Sequence, residues 1–161
     1  MPIYYLDTSA LLKYYIQEPG TDFMVELLES NAARDQFLTS TFALLELSSA
    51  IFRRFHVQTA RDIQLRFDED TGVRFNFWPL DMVVLSYAVA SVRDFRLRTG
   101  DMVHLSSALT IVAINNNIGD SFMVSSDKEL LNAAASTDLI ALDPQAPDSL
   151  DLINQLRSSG Q

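Results

Sequence analysis

The chain has 161 residues, a formal net charge of −9, 48% hydrophobic and 20% charged residues, no cysteine, and only His56 and His104 as histidines. Such a composition suits one globular core. It excludes disulfides, thiolate metal sites and a three-histidine zinc centre, so a bound metal would be held mostly by oxygen, as Mg²⁺ or Mn²⁺ is.

The first segment, Ile3-Tyr4-Tyr5-Leu6, enters an apolar run with no basic leader, which predicts a strand over residues 2–6 rather than a signal peptide. Helical patterns follow at 9–17 and 21–31, separated by Pro19-Gly20 with Thr21 placed to cap the second. A second strand is predicted at 36–40, then helices at 41–55 and 58–70, a strand at 74–78 and a helix at 81–96. The apolar part of that last helix, Met82 to Val92, is broken by Ser86 and is too short to cross a bilayer. A helix at 100–116, a strand at 121–125, a helix at 127–135 and a strand at 138–142 complete the alternation.

Strands alternating with helices predict an α/β fold, a single-domain three-layer α/β/α arrangement around a central, mainly parallel five-stranded sheet. We expect that domain to span residues 1–143. Beyond it Pro144 and Pro147 introduce a polar C-terminal tail, 144–161, whose weak Leu150-Ile153-Leu156 stripe suits a short surface helix or a frayed end. With neither leader nor membrane span, the expected location is cytoplasmic.

Four carboxylates stand where carboxylates are costly. Asp7 closes the first apolar strand, Glu46 interrupts Phe42-Ala43-Leu44-Leu45, Asp101 opens an apolar helix, and Asp127 follows Phe122-Met123-Val124. Two like charges about 4 Å apart repel by roughly 4 kcal/mol at an effective dielectric near 20, so convergence of the four would call for a divalent cation. In open parallel sheets ligands bind beyond the carboxyl ends of the strands where strand order reverses, and Asp7 and Asp127 both follow strands.

Each acid also has a structural reading. Asp7 suits the N-cap of the following helix, Asp101 complements a helix dipole, and Ser126-Asp127-Lys128-Glu129 matches a capping box built on Ser126 and Glu129. Glu46 resists such a reading. Its helix is apolar nearly all round and offers no Lys or Arg three or four residues away, so its partner must be distant, and a metal or a catalytic water fits. Asp81 reads as an N-cap outside the site. His104 shares a helix face with Asp101 and reads as hydrogen-bonded within a helix pair or steadying Asp101, with a ligand role as the less favoured alternative because hard metals prefer oxygen, and His56 as the end of its helix. Lys13 reads as a solvated helix lysine, with a phosphate contact as the alternative. The net negative charge argues against general coating of nucleic acid, but Arg53, Arg54 and His56, or Arg93, Arg96 and Arg98, offer a local basic strip.

The ordered set Asp7-Thr8-Ser9-Ala10-Leu11-Leu12-Lys13, Leu44-Leu45-Glu46-Leu47, Thr99-Gly100-Asp101-Met102-Val103-His104-Leu105 and Ser125-Ser126-Asp127 resembles the PIN-domain nucleases, most of all the VapC-type toxins of toxin-antitoxin pairs. That resemblance implies a metal-dependent endoribonuclease with Asp7, Glu46, Asp101 and Asp127 as an acidic quartet on Mg²⁺ or Mn²⁺. It implies Ser9 and Ser125 as auxiliary hydroxyls, a homodimer, an RNA substrate, and a protein antitoxin covering the acidic groove. Met102 departs from the small residue usual after the third acid, and Ser125 replaces a commoner threonine. Two other readings use the same residues: a PIN-fold binding module with masked or lost activity, and a metal-dependent phosphatase. Asp7-Thr8-Ser9 lacks the second aspartate that aspartyl-phosphate enzymes carry two residues on, which counts against the phosphatase.

Overall fold

The computed structural model describes residues 1–30, 35–116 and 120–159. Strands β1 (Ile3–Leu6), β2 (Gln36–Ser40), β3 (Asn76–Trp78), β4 (Ser121–Val124) and β5 (Ile140–Leu142) form one sheet in the order β3-β2-β1-β4-β5. All four neighbouring pairs are parallel. Helices α1 (Thr8–Tyr15), α2 (Thr21–Glu29), α3 (Phe42–Arg54) and α4 (Val57–Asp70) occupy the first half of the chain. They are followed by α5 (Met82–Ser91), α6 (Thr99–Asn115), α7 (Lys128–Ala135) and α8 (Ser149–Ser159). All five predicted strands are present, and this is the expected three-layer α/β/α architecture. The second predicted helix was drawn to residue 31, which lies outside the described residues.

The period-two alternation of β1 assigns its side chains to two cores. Tyr4 and Leu6 join one with residues of α1 to α4, while Ile3 and Tyr5 join the other with Leu105, Ile111 and Leu130 from α6 and α7. At the sheet centre Tyr4 stacks between its register partners Phe37 on β2 and Phe122 on β4, with ring centroids 5.2 and 4.8 Å away. Such ring pairs add about 0.5–1.5 kcal/mol each beyond the area they bury, and they span the three central strands.

Two local differences from expectation have tertiary causes. The fifth helix, predicted over 81–96, stops at Ser91, and the chain makes one further turn in which the Asp94 and Phe95 amides donate to the Ser91 carbonyl. That turn packs Phe95 and Leu97 against the second core. The C-terminal tail is helical, and it is docked rather than merely superficial: Ile153 is 1% exposed within the first core. Arg157 forms an ion pair at 2.9 Å with Asp35, whose side chain is 2% exposed, and donates to the Leu27 carbonyl. The side chain of Leu156, the third residue of the predicted stripe, lies outside the described residues.

The site is positioned by the strand order. The chain steps from β1 to β2 and β3 on one side, then returns to β4 on the other, so the reversal falls between β1 and β4. The Asp7 amide donates to the Val124 carbonyl at 3.0 Å, and Thr39 Oγ1 donates to the Leu6 carbonyl at 2.7 Å, fixing the carboxyl end of β1 against both neighbours.

Docking of α8 is tested by truncating its anchor. Ile153→Ala is expected to lower stability by about 2–4 kcal/mol in denaturant unfolding, as for other buried large-to-small changes. Leu152→Ala, at a residue 37% exposed, should cost less than about 1 kcal/mol.

Candidate active site

Asp7 is the N-cap of α1 and is almost fully buried at the end of β1. Its Oδ2 accepts from Ser9 Oγ at 2.6 Å, from Ser125 Oγ at 2.8 Å and from the Ser9 amide at 3.3 Å. The same two serines tie β1 to the loop after β4, since the Ser126 amide donates to Ser9 Oγ and the Asp127 amide to Ser125 Oγ. Both auxiliary hydroxyls expected from the sequence therefore touch an acid of the set.

Asp127 caps α7, its Oδ1 accepting from the Glu129 and Leu130 amides at 2.8 and 3.0 Å. This corrects the capping-box reading: the cap is Asp127 and not Ser126. Asp101 sits in the first turn of α6. Asp81 caps α5 through the Val83 and Val84 amides, as expected, and is not among the residues lining the groove described next.

The four acids meet. Asp7, Glu46, Asp101 and Asp127 line one groove of about 360 Å³ together with Thr8, Ser9, Leu12, Leu45, Ser49, Ala50 and Arg53. Burial, then the charges of Asp127 and Asp7, push the Asp101 carboxyl up to about 6. An acid whose neighbours disfavour its ionised form is what a cation-binding site looks like without its cation. The donor set is oxygen-rich and anionic, which fits a hard divalent ion.

Glu46 differs from its expectation. Helix α3 is not buried all round, since Leu45 and Phe52 are well exposed, and the Glu46 side chain is itself 30% exposed. Its distant partner is a histidine and a hydroxyl: Oε2 lies 2.7 Å from His104 Nε2 and accepts from Thr8 Oγ1 at 2.6 Å. Burial raises the Glu46 pKa, but the hydrogen bond and charge of His104 and the bond from Thr8 outweigh it, and the net shift is downward. His104 is 1% exposed, and its Nε2 is also 3.3 Å from Asp7 Oδ1. Burial lowers the His104 pKa, yet Asp7, Glu46 and Asp101 together carry it upward. Asp7, Glu46 and His104 thus form a compact group with ligating atoms within 4.8 Å of one another.

His104 is hydrogen-bonded between helices, as expected, but its acidic partner is Glu46, with Asp7 nearby, rather than Asp101. The only sequence signal was its place three residues after Asp101, and the partners that matter are 58 and 97 residues away. The sequence reading missed the role of Gly100: a Cβ there would lie 2.8 Å from Glu46 Oε1, so glycine lets the carboxylate rest against the start of α6.

Lys13 is neither solvated nor on the groove; it is buried with Nζ 3.2 Å from Glu18 Oε1. Of the basic strips, Arg53 lines the groove, and Arg98, the N-cap of α6, is close enough to Asp101 to oppose its upward shift. His56 caps the start of α4 instead of ending α3. A larger hollow of about 920 Å³ between α5 and α6 is mainly apolar and holds none of the four acids.

A parallel five-stranded sheet with acids gathered at its switch point defines an α/β domain with an oxygen-rich acidic groove. The PIN domain family model matches residues 4–135, and the chain belongs to the PIN-domain family. Among solved structures, VapBC2 from Rickettsia felis bound to a promoter DNA fragment aligns at 16% identity and TM-score 0.66, covering 88% of this chain and 98% of that one. VapBC-1 from nontypeable Haemophilus influenzae aligns at 17% identity and TM-score 0.62, covering 89% and 99%. FitAcB from Neisseria gonorrhoeae aligns at 16% identity and TM-score 0.64, covering 88% and 97%. These likenesses are likenesses of fold. A search of curated proteins finds no match. Among the described residues no helix is long and apolar enough to cross a membrane.

The raised pKa of Asp101, set first by burial and then by the charges of Asp127 and Asp7, has a direct consequence for the metal-free protein. A carboxyl with a raised pKa favours the neutral form in the fold, so its cost is absent below about pH 4 and complete above about pH 6. Asp101→Asn is therefore expected to match the parent near pH 4 and exceed it by about 1–2 kcal/mol at pH 7, after discounting for solvent screening. Thermal unfolding in chelator at both pH values measures this.

Proposed function

We propose that this chain is a divalent-metal-dependent endoribonuclease, hydrolysing RNA phosphodiester bonds as the toxin of a type II toxin-antitoxin pair. The observation that carries the reading is the meeting of Asp7, Glu46, Asp101 and Asp127, from four separate segments, on one groove at the switch point of a PIN-family sheet.

Asp7, Asp101 and Asp127 are the residues to hold Mg²⁺ or Mn²⁺, with Glu46 beside them. A bound divalent ion lowers the pKa of water to make a nucleophile and offsets charge on the scissile phosphate. The protein's own part is orientation. Ser9 and Ser125 occupy Oδ2 of Asp7, and the His104 Nε2 nitrogen stands 3.3 Å from its Oδ1. Glu46, kept ionised by His104 and Thr8, is suited to steer the attacking water or accept its proton. Arg53 on the groove wall offers a cation to RNA phosphate despite the acidic chain.

The same groove suits a partner. Exposed Leu45 beside the acids offers an apolar foothold next to strong negative charge, matching an antitoxin segment that combines apolar residues with an arginine. The structural neighbours are themselves named as toxin-antitoxin complexes in part, VapBC-5 from Mycobacterium tuberculosis being described as a member of the VapBC family of such systems. A homodimer is supported by the exposed apolar residues Met82, Val83, Tyr87 and Ile114 around the α5–α6 hollow. We place the protein in the cytoplasm, where its RNA substrate is found.

Cleavage of a stem-loop RNA tests the reading. The parent is expected to cut in Mn²⁺ and to stop in chelator, and Asp7→Asn and Asp101→Asn should each lose at least about 100-fold in rate. Cleavage by both variants at the parent rate would remove the acids from the mechanism. Hydrolysis of small phosphate esters without cleavage of RNA would favour the phosphatase.

A further inference from the structure

The acids of the groove are held by a buried residue whose chemistry differs from theirs. His104 is 1% exposed, and both of its ring nitrogens are engaged. Nε2 lies 2.7 Å from Glu46 Oε2 and 3.3 Å from Asp7 Oδ1. Ionised carboxylates only accept hydrogen bonds, so the nitrogen facing two of them must carry the proton. Nδ1 lies on the other side of the ring, 2.9 Å from the hydroxyl of Tyr5, a residue 1% exposed on β1. Both ring nitrogens are thus directed at protein partners, Nε2 at Glu46 and Asp7 and Nδ1 at Tyr5.

We infer that His104, wedged between Tyr5 and two carboxylates, is a positioning residue that sets Glu46 through its Nε2–H, stands beside Asp7, and is not itself a metal ligand. Three elements then fix Glu46. Thr8 on α1 and His104 on α6 occupy Oε2, and the bare Cα of Gly100 admits Oε1. Asp7 is held likewise, with serines on Oδ2 and the His104 nitrogen near Oδ1. The histidine thus stands between the acid at the end of β1 and the acid of α3, bonded to the latter. Tyr5, through Nδ1, sets the orientation of the ring. Outer-shell donors of this kind are worth roughly 10–100-fold in metal affinity or activity.

The inference rests on the metal-site reading above, and the experiment separates the two. In ¹⁵N-resolved NMR of the imidazole, His104 Nε2 is expected to keep its proton in chelator and on saturation with Mg²⁺. Loss of that proton on adding Mg²⁺ would make His104 a ligand and overturn the inference. In parallel, Mn²⁺ binding is titrated for the parent, His104→Leu, His104→Gln and Asp101→Asn, with folding checked by thermal unfolding. His104→Leu should weaken Mn²⁺ binding and lower kcat by about 10–100-fold, with KM for RNA changed by less than about threefold. His104→Gln, which returns an N–H near the same place, should recover about a tenfold part of each loss. A folded His104→Leu with the parent's Mn²⁺ affinity and kcat overturns the positioning role, provided Asp101→Asn loses binding. Undiminished binding by Asp101→Asn overturns the metal site itself. Should His104→Leu fail to fold, the NMR result on the parent decides.

Discussion

The buried carboxylate of Asp7 is the constraint around which the functional end of this molecule is arranged. An anion at the end of the central strand, nearly out of solvent, must be met by donors or cations. Ser9 and Ser125 meet one oxygen, and the His104 nitrogen lies 3.3 Å from the other. Those bonds come from the first helix, the loop after β4 and the sixth helix. Satisfying one charge therefore draws together the segments that carry Asp101 and Asp127, and His104 and Thr8 bring in Glu46.

Two circuits of opposite character meet at Asp7. The Glu46, Thr8, His104 and Tyr5 circuit is hydrogen-bonded throughout, and the glutamate is held below its ordinary pKa while the histidine is held above its own. The Asp101 and Asp127 circuit is repulsive, and Asp101 bears the cost. The first circuit has what it needs from the protein. The second is left unrelieved by the protein, which is the ground for the metal site proposed above.

The strands were legible because a parallel sheet covered on both faces demands short continuous apolar runs, and Ile3-Tyr4-Tyr5-Leu6 and Ser121-Phe122-Met123-Val124 are such runs. The acids were legible one by one, since each interrupts or closes an apolar segment. Partnership was not. Glu46 was expected to have a distant partner, and its protein partner is a histidine 58 residues on. Tyr5 and His104 are 99 residues apart, and no local period announces such a contact. Lys13 and Ile153 failed for the same reason: burial of a lysine against Glu18 and docking of a polar helix are settled by what packs above them. Gly100 lay in plain view within the motif, but its purpose is visible only once Glu46 Oε1 is seen beside it.

The central claim is that carboxylate repulsion at this switch point is relieved by a divalent ion. Crystals soaked in Mn²⁺ and measured near the manganese absorption edge test it most directly. The account predicts an anomalous peak within ligand distance of Asp7, Asp101 and Asp127 oxygens, with His104 still bonded to Glu46. A groove without a peak at millimolar Mn²⁺, or a peak coordinated by His104 Nε2, would contradict it.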